Sequence, residues 1–298
     1  MKKGEILGLA LIAIITTGVL SAAIYLQSES SVANRLVNIN SYANCYKEYT
    51  QADLENLKKF DIVVIDPYDV PDQSFVSELK QADVIVLAYI DIGEAENTRV
   101  YWGNVDNSLI LAPNPDWSGC YYADVNNQRW HDIILDNAIP YIFECGDYDG
   151  LCMDMLDTID IYPELKPGMI SLIAEIREEY PDLILVPNRG FGILPEISPY
   201  IDAFKYEEMS ARYDFENETY VYEEDEEEMN TLLSVLENHE IPVLVLDHVE
   251  TNPPDENMAQ TCYERTTQIA AETGHKFVWY ANSVEQDLPI WSFLPLRS

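Results

Sequence analysis

Basic residues are scarce: 17 Lys and Arg stand against 53 Asp and Glu in 298 residues, a formal charge of −36. Binding nucleic acid needs clustered Lys and Arg to displace condensed counterions, and no such cluster exists, so nucleic acid is excluded as a partner. Cysteine is scarce too. Five in this length, Cys45, Cys120, Cys145, Cys152 and Cys262, exclude a disulfide-dense scaffold, and the odd number leaves at least one unpaired within the chain. There is no Cys-x-x-Cys, and His131, His239, His248 and His275 are scattered, so no metal or other cofactor is expected. No Gly-x-Gly-x-x-Gly or Gly-Lys-Ser/Thr phosphate loop follows any apolar run, which argues against a nucleotide-binding open sheet. What the chain does have is 47% hydrophobic residues, enough for a sizeable core, which excludes disorder over most of its length.

Residues 1–5 carry Lys2 and Lys3, and residues 6–26 carry no charge. That apolar run is long enough to span a bilayer as a helix, and the basic start belongs on the cytoplasmic side. Ser21-Ala22-Ala23 also resembles a small-residue cleavage site, so a removed signal peptide is the second export reading. Either way, residues 27–35 read as a polar linker and residues 36–298 as a domain outside the cytoplasm.

Within that domain short apolar runs alternate with segments of helical period. The expected strands are Val37–Cys45, Ile62–Asp66, Val84–Ile90, Gly150–Asp154, Leu183–Pro187, Ile201–Tyr206, Val243–Asp247 and Lys276–Tyr280, with amphipathic helices between them. Such runs bounded by turn signals predict a parallel sheet with crossover helices, and eight units point to an α/β fold of the (β/α)8 TIM-barrel type; an open doubly wound sheet is the alternative. Glu94–Cys120 reads as a long irregular lid. The acidic run Glu223–Glu228 precedes an apolar-periodic segment and reads as a helix N-terminus favoured by the macrodipole. Asn217-Glu218-Thr219 forms one glycosylation sequon.

Polar groups recur where the strands end: Asp66, Asp91 and Glu94, Asp154 and Asp157, Asn188 and Arg189, Glu207 and Glu208, and Asp247. In a barrel these ends converge on one mouth. An acidic mouth with aromatic neighbours, among them Tyr68, Tyr89, Tyr206 and Tyr280, suits glycoside hydrolysis. That chemistry needs one protonated carboxyl and one ionised, and crowding carboxylates raises the pKa of at least one. The alternatives are a non-catalytic carbohydrate-binding surface protein on the same barrel and a metal-dependent hydrolase or deacetylase. The second is disfavoured by the absence of His at strand ends other than His248, itself read as a structural residue.

Asp149-Gly150-Leu151-Cys152-Met153-Asp154-Met155-Leu156-Asp157 resembles the Asp-Gly-hydrophobic-x-x-Asp-x-x-Asp signature of glycoside hydrolase family one hundred and fourteen, typified by endo-α-1,4-polygalactosaminidase. Further segments agree in order: Phe60 to Pro67; Ala88-Tyr89-Ile90-Asp91-Ile92-Gly93-Glu94-Ala95-Glu96 with Arg99, Tyr101 and Trp102; Tyr122 to Val125 with Arg129 and Trp130; Pro187-Asn188-Arg189-Gly190-Phe191; and Glu207. The resemblance implies a barrel that cleaves α-1,4 links in galactosamine-containing polysaccharide, with Asp154 as the ionised carboxylate and Glu207 as acid/base. It implies a substrate-binding mouth of Asp66, Tyr89, Asp91, Glu94, Asp157, Asn188, Arg189, Asp247 and Tyr280; Asp157 either contacts substrate or caps the next helix. Glu208 competes with Glu207, since only one of two adjacent strand residues faces the mouth. Asp91 departs from the family pattern, which commonly has a small residue before Ile-Gly-Glu-Ala. De-N-acetylated galactosamine is cationic, so the −36 charge either attracts substrate or only keeps the protein soluble.

Overall fold

The computed structural model describes residues 35–297. The expected transmembrane or signal segment, residues 6–26, lies outside the described residues, as do the basic start and all but the last residue of the linker. Among the described residues no helix is long and apolar enough to cross a membrane.

All eight expected strands are present: β1 (Tyr42–Cys45), β2 (Ile62–Ile65), β3 (Ile85–Asp91), β4 (Gly150–Asp154), β5 (Ile184–Pro187), β6 (Phe204–Glu207), β7 (Val243–His248) and β8 (Phe277–Asn282). The first is shorter than expected, because residues 35–37 make a helical turn. β1 to β5 form one sheet and β6 to β8 another, with every neighbour parallel. The two sheets meet on both sides. A parallel bridge joins Asn188 to Lys205 between β5 and β6. On the other side Asn282 Nδ2 donates to the Asn44 carbonyl (2.8 Å) and the Tyr46 amide to that of Gln286 (3.0 Å). The result is a ring of eight parallel strands, consistent with a (β/α)8 barrel.

β2 and β5 read as unbroken apolar runs because both their faces are covered. Ile62, Val63, Val64 and Ile65 are all fully buried, each contributing ~1.5–3 kcal/mol. The helices cover the outside with one apolar stripe each. In the helix Lys166–Glu179 the buried Met169, Leu172, Ile173 and Ile176 recur at the three- and four-residue spacing of one face. Gly150 is required where β4 passes β5, since a Cβ there would lie 2.0 Å from the Ile184 carbonyl oxygen.

Two insertions decorate the C-terminal ends of the strands. The stretch expected as an irregular lid is instead a small antiparallel sheet of Glu94–Glu96, Ile110–Pro113 and Cys120–Ala123. The second, not foreseen, is the hairpin Ala211–Asp214 with Thr219–Tyr222 after β6. The acidic run behaves as expected: Asp225 caps the helix Glu226–Leu236, accepting from the amides of Glu227 and Glu228. All five cysteines are free thiols, Cys145 and Cys152 included.

Candidate active site

Three adjacent strands deliver the centre of the site, and beside each site residue stands one in the left-handed region: Met155 (φ 60°) after Asp154, Arg189 (φ 56°) after Asn188 and Glu208 (φ 62°) after Glu207. Such a conformation costs a non-glycine residue ~1–3 kcal/mol and persists only where the surroundings impose it. Here it turns the chain sharply off the barrel. Glu207 ends β6 in strand geometry, and Glu208 lies past the turn.

Asn188 joins the two carboxylates. Its Nδ2 donates to Asp154 Oδ1 (2.8 Å) and to Glu207 Oε2 (2.5 Å). Laid end to end those bonds put the two oxygens no more than about 5.3 Å apart. Glu207 takes donors at both oxygens: Lys205 Nζ at Oε2 (3.1 Å), and His248 Nε2 (2.9 Å) and Gln286 Nε2 (3.4 Å) at Oε1. Burial pushes the Glu207 carboxyl up, but Lys205 and then His248 outweigh it and hold Glu207 well below the usual carboxylate range. The pair is reciprocal: burial would discharge Lys205 and His248, yet Glu207 raises both. Asp154 differs. It also accepts from the Met155 amide at Oδ1 (2.9 Å), and no hydrogen bond from the described residues reaches its Oδ2. Burial raises its pKa, with Lys205 opposing and Glu207 reinforcing. As pH falls, the proton goes to Asp154 before Glu207.

An acidic wall stands beside this pair. Asp91 pairs in register with Asp154 across β3 and β4, and its Oδ1 accepts from the amides of Gly93 (3.1 Å) and Glu94 (2.8 Å). Burial, then Glu96, Glu94 and Asp154, push its carboxyl well up. Glu94 accepts from Asn114 Nδ2 (2.7 Å) and is pushed up to about 7, first by burial and then by Asp154 and Asp157. Asp157 is raised to about 6 by burial despite Arg189, whose Nε lies 3.4 Å away. It makes no side-chain cap to the helix it precedes. Arg189 also donates to the Glu207 carbonyl (2.9 Å) and to Glu228 (2.6 Å). At the far end Arg99 grips Asp66 with two nitrogens (3.0 and 2.9 Å) and Glu96 with one (2.8 Å). Its guanidinium lies 4.4 Å over the Tyr68 ring and 5.6 Å from that of Tyr89, whose ring meets Tyr46 at 4.7 Å. Such cation–π contact strengthens where water is excluded.

Two expected residues do not join this cluster. Asp247 is fully buried, with its oxygens taken by the amides of Ser210 (2.7 Å) and Ala211 (2.9 Å) and by the Trp279 indole (2.7 Å). Trp279 packs on Tyr263 of the helix Glu256–Thr273, so Asp247 faces the helix layer while the next residue, His248, faces Glu207. Tyr280 is a core residue: its ring is edge-on to Tyr42 and Phe60, and its hydroxyl donates to the Pro289 carbonyl (3.1 Å).

Lys205, His248 and Gln286 were missed or read as structural. The signal for Lys205 was parity, since it stands two residues before Glu207 on the same face of β6. Gln286 carried none: it reaches the site from a left-handed position (φ 54°) in the loop after β8. Among the described residues no group of three or more His, Cys, Asp or Glu could hold a metal ion. A surface cleft of about 480 Å³ between residues 103–106 and 129–137 lies apart from these carboxylates.

The sequence model of the family described as glycoside-hydrolase family GH114 matches residues 28–290. The chain is 29% identical over 240 residues to an uncharacterized protein of Methanocaldococcus jannaschii, covering 65% of this chain and 67% of that one. Its fold is similar to the glycoside hydrolase domain of PelA from Pseudomonas aeruginosa, with a TM-score of 0.71 at 20% identity over 84% of this chain and 97% of that one. It is also similar to Aspergillus fumigatus Ega3, solved in complex with galactosamine, with a TM-score of 0.64 at 14% identity over 83% and 92%.

Proposed function

We propose, from the premise that this chain belongs to glycoside-hydrolase family GH114 and is a glycosidase, that it cleaves α-1,4-linked galactosamine-containing polysaccharide with Asp154 and Glu207. The observation that carries the pair is the single Asn188 amide bonded to both carboxylates. A limit of about 5.3 Å between those two oxygens favours the ~5–5.5 Å spacing of a retaining pair. Asp154 has the free oxygen, so it attacks the anomeric carbon as Glu207 gives a proton to the departing glycosidic oxygen. Water then hydrolyses the glycosyl ester, with Glu207 taking the proton back.

In the empty site the proton favours Asp154, the reverse of these roles. Positive charge on the substrate, fixed on an ammonium group or developing at the anomeric carbon, lowers the Asp154 pKa. His248 is bonded to Glu207, which raises its pKa against the effect of burial, and it is the nearest source of the proton that Glu207 must carry. The acidic wall and the overall charge of −36 favour a cationic sugar. We place the domain outside the cytoplasm, tethered by residues 6–26 or released by their cleavage, where a polysaccharide would meet it.

The test is reducing-end release from partly de-N-acetylated α-1,4-galactosamine polymer by the full chain in mild detergent. Asp154→Asn and Glu207→Gln are each expected to lower kcat by about 10²–10⁴-fold with Tm retained. Trapping with a fluorinated glycosyl donor and peptide mass analysis should find the ester on Asp154. An ester on Glu207 would reverse the two roles, and full activity in both variants would discard the pair.

A further inference from the structure

Two aromatic side chains away from the carboxylates are exposed and yet touch. Trp117 is 47% and Phe215 49% exposed, and their rings meet edge to face with centroids 6.1 Å apart. Rings left half in water forgo the burial that aromatic side chains gain elsewhere in the molecule. They also come from different insertions. Trp117 lies between Ile110–Pro113 and Cys120–Ala123, in the sheet that follows β3; Phe215 lies at the tip of the hairpin that follows β6. In the ring, β4 and β5 stand between those strands. The contact therefore spans the arc of the mouth that carries Asp154, Asp157, Asn188 and Arg189.

Both arms are fixed at the root by side-chain hydrogen bonds. Asn114 Oδ1 accepts from the amides of Asp116 (2.9 Å) and Trp117 (3.3 Å), while its Nδ2 donates to Glu94 (2.7 Å). One buried side chain thus separates Trp117 from the acidic wall. The hairpin is rooted by Asp247, through the amides of Ser210 and Ala211, and is tied to the loop after β8 by the Val284 amide donating to the Tyr220 hydroxyl (3.3 Å). Tyr213 packs between Tyr220 (5.0 Å) and Phe215 (5.1 Å). Beyond it, an edge-to-face pair is weak enough to part and rejoin.

We propose that Trp117 and Phe215 form a clamp for a pyranose ring of a polysaccharide chain, a subsite separate from the Asp154–Glu207 pair. The C–H faces of a sugar ring stack on aromatic faces, and the exposed carboxylates of Asp116 and Glu216 beside the pair suit a ring bearing an ammonium group. The clamp rests on the glycosidase reading and adds to it a preference for long substrates.

The experiment compares the full chain with Trp117→Ala, Phe215→Ala and Trp117→Phe. Its probes are partly de-N-acetylated α-1,4-galactosamine polymer and an aryl α-galactosaminide carrying one sugar. Each alanine variant is expected to lower the ratio of kcat/KM on polymer to that on the aryl glycoside about tenfold, through KM, and Trp117→Phe to restore most of it. In a catalytically silent Asp154→Asn background the polymer should quench tryptophan fluorescence, and adding Trp117→Ala should abolish that quenching. Quenching that does not depend on Trp117, or no quenching, overturns the clamp whatever the activity. If the parent cleaves neither probe, the glycosidase reading fails while Trp117-dependent quenching still supports the clamp.

Discussion

Glu207 and Asp247 sit near the ends of adjacent parallel strands, Asp247 fully and Glu207 partly buried, and their surroundings treat them oppositely. Glu207 faces the mouth among ionisable donors, Lys205 and His248, which keep it charged. Asp247, one residue past the register partner of Glu207, faces the helices and is held by two backbone amides and an indole, so burial wins and its pKa rises. Neutral donors satisfy an acid's lone pairs; charged ones also offset the loss of solvent. Ending a strand is thus no sign of chemistry. What separates the two acids is which side of the sheet they face and whether a formal charge answers them.

Removing the charged partner should break the contrast most severely. Lys205→Met leaves Glu207 Oε2 without its ammonium partner, and loss of one member of a buried pair costs ~3–5 kcal/mol, readable by denaturant unfolding. The sign with pH follows from the lowered Glu207 pKa. Its stabilisation is present above the unfolded value of about 4.3 and lost as pH falls through the folded value. The deficit of Lys205→Met should therefore be largest near neutral pH and shrink in acid. Asp247→Ala comes next: three N–H groups lose their acceptor at ~1–3 kcal/mol each, so about 3 kcal/mol or more should be lost. That deficit should change less with pH around neutrality than the Lys205→Met deficit. Equal pH dependence in the two variants would erase the distinction.

Glu94 gives the mildest test, since it combines burial with a neutral donor at the mouth itself. Its pKa is raised to about 7, so its contribution to stability is present below the unfolded value and lost as pH rises through 7. Glu94→Gln stays neutral and keeps an oxygen for Asn114. Its Tm should match the parent near pH 4 and exceed it by a few degrees at pH 8; a gain independent of pH would point to packing instead.

Much of this molecule is legible along the chain. The barrel strands announce themselves because burial on both faces favours apolar runs, and turn residues bound them. The motif from Asp149 to Asp157 and the acid at Glu207 mark the same two strand ends that Asn188 joins. The small sheet within residues 94–123 and the hairpin after β6 were not legible, because short antiparallel strands half open to water carry no strong periodicity.

By itself, then, the sequence determined the order of the eight strands, the family and the acids that end β4 and β6, since these depend on local pattern. Only the tertiary structure decided that His248 and not Asp247 faces Glu207, and that Trp117 meets Phe215. Facing is set by register against the neighbouring strand, and a one-residue shift inverts it. Partners brought together by ring closure are distant in the chain, and no local preference encodes them.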